Sequence, residues 1–454
     1  MEMLTYKFDK DQFLYQQLYQ FIKEDILTGQ LVRNEKLPSK RKLGQHLNLS
    51  QTTIEIAYQQ LLDEGFIYSK PQVGYFVEAI ETINLAPENK VAPSIQEDKV
   101  IKQSFTIENS HYPVFPNHLF RKYAKEAFEM EMSHLLERGH PQGEPELRNQ
   151  IRRYLYHSRG VNCSNEQIII GSSTEQLFTL ITRLLPHAVY QIEDPGYPLI
   201  RKVLKYEHKP YIPAEIDEEG IVVEALHHEA NVVHVTPSHQ FPTGAVLSAK
   251  RRTELLKWSM KKNHYIIEDD YDSEFRYKGQ PLKALQGLDT HQKVIYMSTF
   301  SKSIFPSIRV AYLVLPEPLL RQYNELQHKP NLTVPRHIQY LITRFMQSGE
   351  FERNINRTRK RYKKKLDLVL ETLQPYADTI SISGDQAGMH CVLNFPYDFT
   401  LPENIEINRI SDYTEHSQKK YHRQLILGFG GIEDHLIHHR VTHLLNQLIQ
   451  KKET

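Results

Sequence analysis

The sequence predicts a multidomain chain: a small N-terminal unit of three helices and a β-ribbon, then a larger α/β unit that closes in a smaller α+β portion. Three observations predict it. Residues 1–78 carry apolar positions at helical spacing and end in two short β-rich runs. Residues 79–103 lose any sustained period. From about residue 104, apolar β-rich runs recur with helical segments between several of them, the pattern of a largely parallel sheet covered on both faces. At 454 residues the chain is also too long for one ordinary core.

In the first unit, Leu14, Leu18, Phe21, Ile22 and Ile26 follow helical spacing, and Gly29 ends that segment. Pro38-Ser39 opens a short second helix carrying Leu43 and Leu47. Ser50 is suited to cap a third, with Ile54, Tyr58, Leu61 and Leu62 on its apolar face, and Gly65 stops it. Phe66–Tyr68 and Tyr75–Val77 read as strands around a Pro71–Gly74 turn. Three helices followed by a β-ribbon is the order of a winged helix-turn-helix.

Residues 79–103, with Pro87, Pro93 and several charges, read as a linker, the alternative being a poorly packed helix. Beyond it the expected strands are Gln167–Ile170, Val189–Ile192, Asn231–Val235, Tyr265–Ile267, Val294–Met297 and Val310–Val314. From about 330 a long helix precedes the α+β portion.

Hydrophobic residues at 40% and charged ones at 24% fit a soluble globular protein. No run approaches the roughly 18 apolar residues of a membrane span, and the first residues lack a signal-peptide core. Cys163 and Cys391 are the only cysteines, without metal-ligand spacing. No metal site and a reducing, cytoplasmic location are therefore expected.

The first unit has the chemistry of a double-stranded DNA reader. Lys40-Arg41-Lys42 enters the second helix, and Ser50-Gln51-Thr52-Thr53 puts short polar side chains on the first turn of the third. In helix-turn-helix proteins those N-terminal residues meet base edges while nearby cations hold phosphates. Arg41 is suited to a bidentate contact, and Lys70 and Gly74 sit on the wing. Residues 1–78 sum to only −1, but residues 33–54 hold five cations against one acid. Phosphate contact depends on that local patch. The competing reading is a small helical dimerisation module with an ordinary charged surface.

Leu-Pro-Ser-x-Arg-x-Leu (37–43), Ser-x-Thr-Thr-Ile-x-x-Ala-Tyr-x-x-Leu-x-x-Glu-Gly-Phe-Ile (50–67) and the wing glycine together resemble the GntR family of bacterial repressors. One departure is Gln51, where that family usually has arginine.

In the second unit, polar residues gather where the apolar runs end, which is where open α/β sheets bind ligands. Gly171-Ser172-Ser173-Thr174 opens a helix as an anion site. Tyr197 follows Asp194-Pro195-Gly196. Glu268-Asp269-Asp270-Tyr271 and Ser298-Thr299-Phe300-Ser301-Lys302 end two further runs. These types fit pyridoxal 5′-phosphate (PLP): Lys302 as the Schiff-base lysine, Asp269 for the pyridine nitrogen and Tyr271 for the phenolic oxygen. Tyr197 would stack on the ring, with Ser172, Ser173, Thr174, Thr299, Ser301 and Arg309 around the phosphate. Taken singly, each motif reads more simply as a loop, a solvated turn or core packing; their joint order carries the assignment.

That order resembles the fold-type I aminotransferases, and more closely the MocR/GabR subgroup of GntR regulators. The resemblance runs through Thr-Pro-Ser-His-Gln-Phe-Pro-Thr-Gly (236–244), Ile-Glu-Asp-Asp-Tyr-Asp-Ser-Glu-Phe-Arg-Tyr (267–277) and Thr-Phe-Ser-Lys-Ser-Ile-Phe-Pro-Ser-Ile-Arg-Val-Ala-Tyr (299–312). It implies a head-to-tail homodimer with cofactor pockets at the interface. Three departures bear on the effector. Ile426 stands where aminotransferases carry an arginine for the substrate carboxylate, with Arg423 three residues away. Leu199 stands where GABA-responsive members carry an arginine, with Arg201 two further on. Arg138 stands where a tyrosine reaches the partner's phosphate. Arg423 and Arg201 are the candidate effector anchors, and without the usual clamp PLP itself fits better as effector than an amino acid.

The leading expectation is a regulator whose PLP domain senses PLP or a small amine or amino acid, with vitamin B6 or amine metabolism as its field. Its rival is a working aminotransferase with an accessory N-terminal domain; a third reading is a structural protein retaining a dead fold.

Overall fold

The computed structural model describes residues 4–9, 12–79, 103–107, 115–129, 135–279, 282–327, 334–416 and 418–450. The chain divides into two compact units, one over 1–98 and one over 99–454. Apart from Ala79 and Gln103, the expected linker lies outside the described residues.

In the first unit, α1 spans Leu14–Leu27, α2 Lys40–Leu47 and α3 Gln51–Asp63, followed by the antiparallel ribbon β1 (Ile67–Lys70) and β2 (Gly74–Val77). Burial of one face of each helix holds it together: Leu18, Ile22, Leu43, Ile54, Tyr58, Leu61, Ile67 and Val77 form one core. The α2–α3 turn is tight. Asn48 ends α2 in the left-handed conformation, and a Cβ on Gly44 would lie 3.0 Å from the Leu49 carbonyl oxygen. Gly74 takes φ +133° at the wing, where a side chain is strained.

In the second unit, β3 (Gln103–Ser104), α4 (Asn117–Glu129) and α5 (Pro145–Arg159) precede the main sheet. Its strands and covering helices are β4 (Ile168–Gly171), α6 (Thr174–Leu184), β5 (Tyr190–Asp194), α7 (Pro198–Tyr206), β6 (Tyr211–Asp217), β7 (Gly220–Ile221), β8 (Val232–Val235), α8 (Ala249–Ser259), β9 (Tyr265–Asp270), β10 (Val294–Thr299) and β11 (Ala311–Val314). The spatial order is β4-β11-β10-β9-β8-β5-β6-β7. Strands β10, β9, β8, β5 and β6 run parallel; β11 runs antiparallel to both its neighbours, and β7 to β6. Buried Ile, Val, Leu and Tyr side chains cover both faces of the sheet.

Next come α9 (Glu317–Glu325), α10 (Arg336–Gln347) and α11 (Glu350–Leu373). The expected long helix is thus two, parted at Gly349, whose φ of +70° stops α10. The last portion holds β12 (Ser381–Ser383), β13 (His390–Asn394), β14 (Ile405–Glu406), β15 (Asn408–Arg409), β16 (Gln424–Gly428) and α12 (Ile437–Gln450). Strands β12-β13-β16-β15 form an antiparallel sheet, and β14 pairs with β3. Among the described residues no helix is long and apolar enough to cross a membrane.

Candidate nucleic-acid interface and cofactor site

The capping serines order the N-terminal ends of α2 and α3. Ser39 Oγ accepts from Lys42 N at 3.3 Å, and Ser50 Oγ from Thr53 N at 3.1 Å, with the Thr53 hydroxyl 2.8 Å away. Ser50 and Thr53 thus serve the cap, while Gln51, Thr52 and Arg41 are exposed and free to meet a ligand. Lys40 differs. Its ammonium is 2.6 Å from Glu55 Oε1 and lies over the Tyr75 ring. Lys70, exposed on the wing, lies over Tyr68 and Phe76, and Gly74 follows the turn.

In the second unit, register aligns the site. Thr299 at the end of β10 pairs with Ala311 at the start of β11, which pairs with Gly171 at the end of β4. Ser172–Thr174, Ser301 and the exposed Arg309 therefore sit along one edge of the sheet. Ser173 Oγ caps α6 by accepting from Gln176 N at 3.2 Å, leaving an eleven-residue helix with its amino end at this edge. Thr299 Oγ1 accepts from Ser301 N at 3.1 Å, starting the one-turn helix that holds Lys302.

One strand over, Asp269 of β9 lies opposite Met297 of β10, with its carboxylate buried. His234 of β8 places Nε2 3.5 Å from Asp269 Oδ2 and is buried as well. The Tyr271 hydroxyl lies 3.0 Å from His239 Nδ1, which is 2.8 Å from Asp272 Oδ2. Burial, and then the charge of Asp272, push the Tyr271 phenol well above its usual range, so it stays protonated. Gly388 packs against the His239 ring so closely that no side chain fits there. His390 of β13 stands 5.0 Å from His239, ring to ring, and its Nε2 is 3.0 Å from the Pro242 carbonyl oxygen. Burial above all, then the His239 and Lys302 charges, hold the His390 imidazole down at about 3.

Tyr197, 44% exposed at the start of α7, meets Phe241 edge-on at 5.6 Å. Phe241 also meets Tyr271 and Tyr413 edge-on. The structure therefore gathers Tyr197, Tyr271 and Lys302 around a histidine and aromatic cluster. The sequence reading missed six of its members: His234, His239, Asp272, Phe241, His390 and Tyr413. A histidine inside the apolar run 231–235 was the available signal.

The remaining candidates lie apart or are already engaged. Arg138 is exposed. Arg201 donates to the Tyr413 carbonyl oxygen at 3.2 Å and stands 3.6 Å from Glu415. Arg423 grips Asp398 through two bonds of 2.7 and 3.0 Å. Ile426 is 1% exposed and packs with Val392, Ile410, Tyr413 and Tyr421.

The donor set fits PLP. A buried carboxylate suits a protonated pyridine nitrogen, a buried neutral phenol suits the ring oxygen, and a capped helix with neighbouring hydroxyls suits a phosphate.

Comparison with known proteins agrees. Residues 14–77 match the family of bacterial regulatory proteins, gntR family, and residues 109–419 match aminotransferase class I and II. The chain is 39% identical to the HTH-type transcriptional regulator YdeL of Bacillus subtilis, over 93% of this chain and 94% of that one. It is 30% identical to the HTH-type pyridoxine biosynthesis transcriptional regulator PdxR of Corynebacterium glutamicum, over 83% of this chain and 82% of that one. Pyrococcus horikoshii kynurenine aminotransferase superposes with a TM-score of 0.70 at 23% identity, over 78% of this chain and 92% of that one, which shows a shared fold. The chain belongs to the GntR family of DNA-binding transcriptional regulators, in the MocR/GabR subgroup, with an aminotransferase-like domain whose cofactor is PLP.

Proposed function

We propose that this regulator senses PLP itself, in the cytoplasm, as a head-to-tail homodimer, and does not turn over amino acids. One observation carries the reading: the strand position expected to hold a carboxylate-binding arginine is Ile426, seated in an apolar cluster that reaches Phe241. Arg423 and Arg201, the neighbouring cations, are committed to Asp398 and to Glu415 and Tyr413. A missing bidentate clamp forfeits about 1.5–3 kcal/mol for a carboxylate ligand.

When bound, PLP supplies an aldehyde for an amine and an electron-poor ring. Lys302 offers the amine. Asp269, with His234 beside it, holds a proton at the pyridine nitrogen, and Tyr271 donates its own to the phenolic oxygen. Ser172, Ser173, Thr174, Thr299, Ser301 and Arg309 take the phosphate, with Arg138 reaching across the dimer. Gln51, Thr52, Arg41 and Lys70 meet DNA. A change in DNA affinity requires that PLP bind one arrangement of the protein better than another.

The test is fluorescence anisotropy on an operator fragment selected by the protein, for apo protein, PLP-loaded protein, and the latter with GABA or alanine. Support is a severalfold change on PLP loading and none on adding either amine. A change produced only by the carboxylate-bearing amine overturns the reading and makes Arg423 or Arg201 the anchor.

The intact set Lys302, Asp269 and Tyr271 favours a second reading, a working aminotransferase. Sustained conversion of alanine and a 2-oxo acid by the PLP-loaded protein would establish it.

A further inference from the structure

A cavity of about 780 Å³ lies where the last turn of α5, the segment after β9 and the first half of α11 meet. None of the residues assigned to PLP lines it. Four cations do: Arg159, which is paired with Asp270, and the three residues Arg276, Lys283 and Arg359. Among the described residues none of the three has an ion-pair partner, and Arg276 Nε and Arg359 Nε are buried without a hydrogen bond. Arg359 Nη2 reaches only Asn356 Oδ1, at 2.8 Å.

Several other arginines of this unit are engaged. Arg148 and Arg252 donate to backbone carbonyls, while Arg251, Arg336 and Arg423 hold carboxylates. Arg159, on the same wall, is satisfied by Asp270 Oδ2 at 2.7 Å and Ser238 Oγ at 2.6 Å. Arg276 instead faces repulsion: burial first, then the Arg159 charge, lower its affinity for a proton. Two half-buried guanidinium groups without a counter-charge, beside the exposed Lys283, cost free energy that a bound anion would offset.

The acids nearby do not fill that role. Glu352 is exposed at the rim, and burial of Glu274 pushes its carboxyl up to about 7, so it is often uncharged near neutrality. The wall also has an aromatic stretch, with Tyr156 60% exposed and the His157 ring 5.5 Å from it.

We propose that this cavity binds a small organic polyanion, a metabolite carrying two or more carboxylate or phosphate groups. Its volume suits a ligand of metabolite size, and its cations suit oxyanions through charge-assisted hydrogen bonds. The site is independent of whether PLP is the effector.

The test uses full-length, PLP-loaded protein, so that the cofactor's phosphate site is already filled, and titrates citrate and pyrophosphate separately by calorimetry. Saturable binding of one per chain is expected, with citrate the tighter probe for a carboxylate ligand and pyrophosphate for a phosphate ligand. Arg276→Gln and Lys283→Gln should each weaken it by about tenfold, the effect of one lost charge-assisted contact. Lys283 is exposed, so its variant keeps the fold even if Arg276→Gln does not. Lys250→Gln, an exposed cation on α8, should leave binding unchanged. Absence of saturable binding for both probes, or equal affinity in wild type and Lys283→Gln, overturns the proposal. So would a loss in the Lys250→Gln control as large as in the cavity variants.

Discussion

His234 and Asp269 sit on adjacent parallel strands with Nε2 and Oδ2 3.5 Å apart, both inside the sheet. Nε2 makes no hydrogen bond at that distance, so the imidazole is a buried polar neighbour of the carboxylate. Asp269→Asn removes the buried anion that a protonated pyridine ring pairs with. PLP affinity should fall by about tenfold to a hundredfold, some 1.5–3 kcal/mol, read by equilibrium titration of visible absorbance. His234→Phe should weaken PLP binding less, because the carboxylate stays.

Lys302→Ala should retain the fold and lose covalent cofactor. Lys302 lies in the one-turn helix that Thr299 caps through the Ser301 amide. Borohydride reduction followed by mass spectrometry checks it: cofactor still fixed to the variant would mean that another lysine serves.

In the DNA-binding unit, Arg41→Ala should weaken operator binding by about 1–3 kcal/mol without altering the cofactor spectrum. Lys40→Ala should cost less, since its ammonium is already held 2.6 Å from Glu55. Anisotropy at a fixed moderate salt concentration ranks the two, and the opposite ranking would make Lys40 the phosphate contact.

Glu274 gives a pH signature. Burial, then the Asp270 charge, raise its carboxyl to about 7, against about 4.5 when unfolded. Between those values the folded state holds the extra proton, so this group's contribution to stability declines as pH rises through the window. Glu274→Gln removes the titration. The wild type should therefore gain stability relative to the variant as pH drops from 8 to 5, measured by urea denaturation. A difference independent of pH would mean that the carboxyl titrates alike in both states.

Much of the first unit was legible because its signals are local. Ser39 and Ser50 cap α2 and α3, and the apolar face of α3 reads directly from Ile54, Tyr58 and Leu61. Strand cores were legible in the larger unit, but their ends were not. The apolar run at 265 stops at Ile267, whereas β9 continues through Asp270, since polar residues at the edge of a sheet still share its ladder with β10. Strand β6, interrupted by Pro213 and ending in Glu215 and Asp217, lacks the β-rich run that marked its neighbours. Strand direction is also invisible in a run of apolar residues, so β11 could not be read as antiparallel. Lys302, Asp269 and Tyr271 were singled out by motif order. The His239–Asp272 contact joins residues 33 positions apart and has no periodic signature.

The seat of Ile426 would make an arginine at that position costly in stability. An arginine introduced there would bring a guanidinium into the cluster of Val392, Ile410, Tyr413 and Tyr421, where no carboxylate waits for it before substrate arrives. An unpaired buried charge costs several kcal/mol, a large share of a domain's net stability. The replacement would therefore be selected against until neighbouring residues had first been made smaller or more polar.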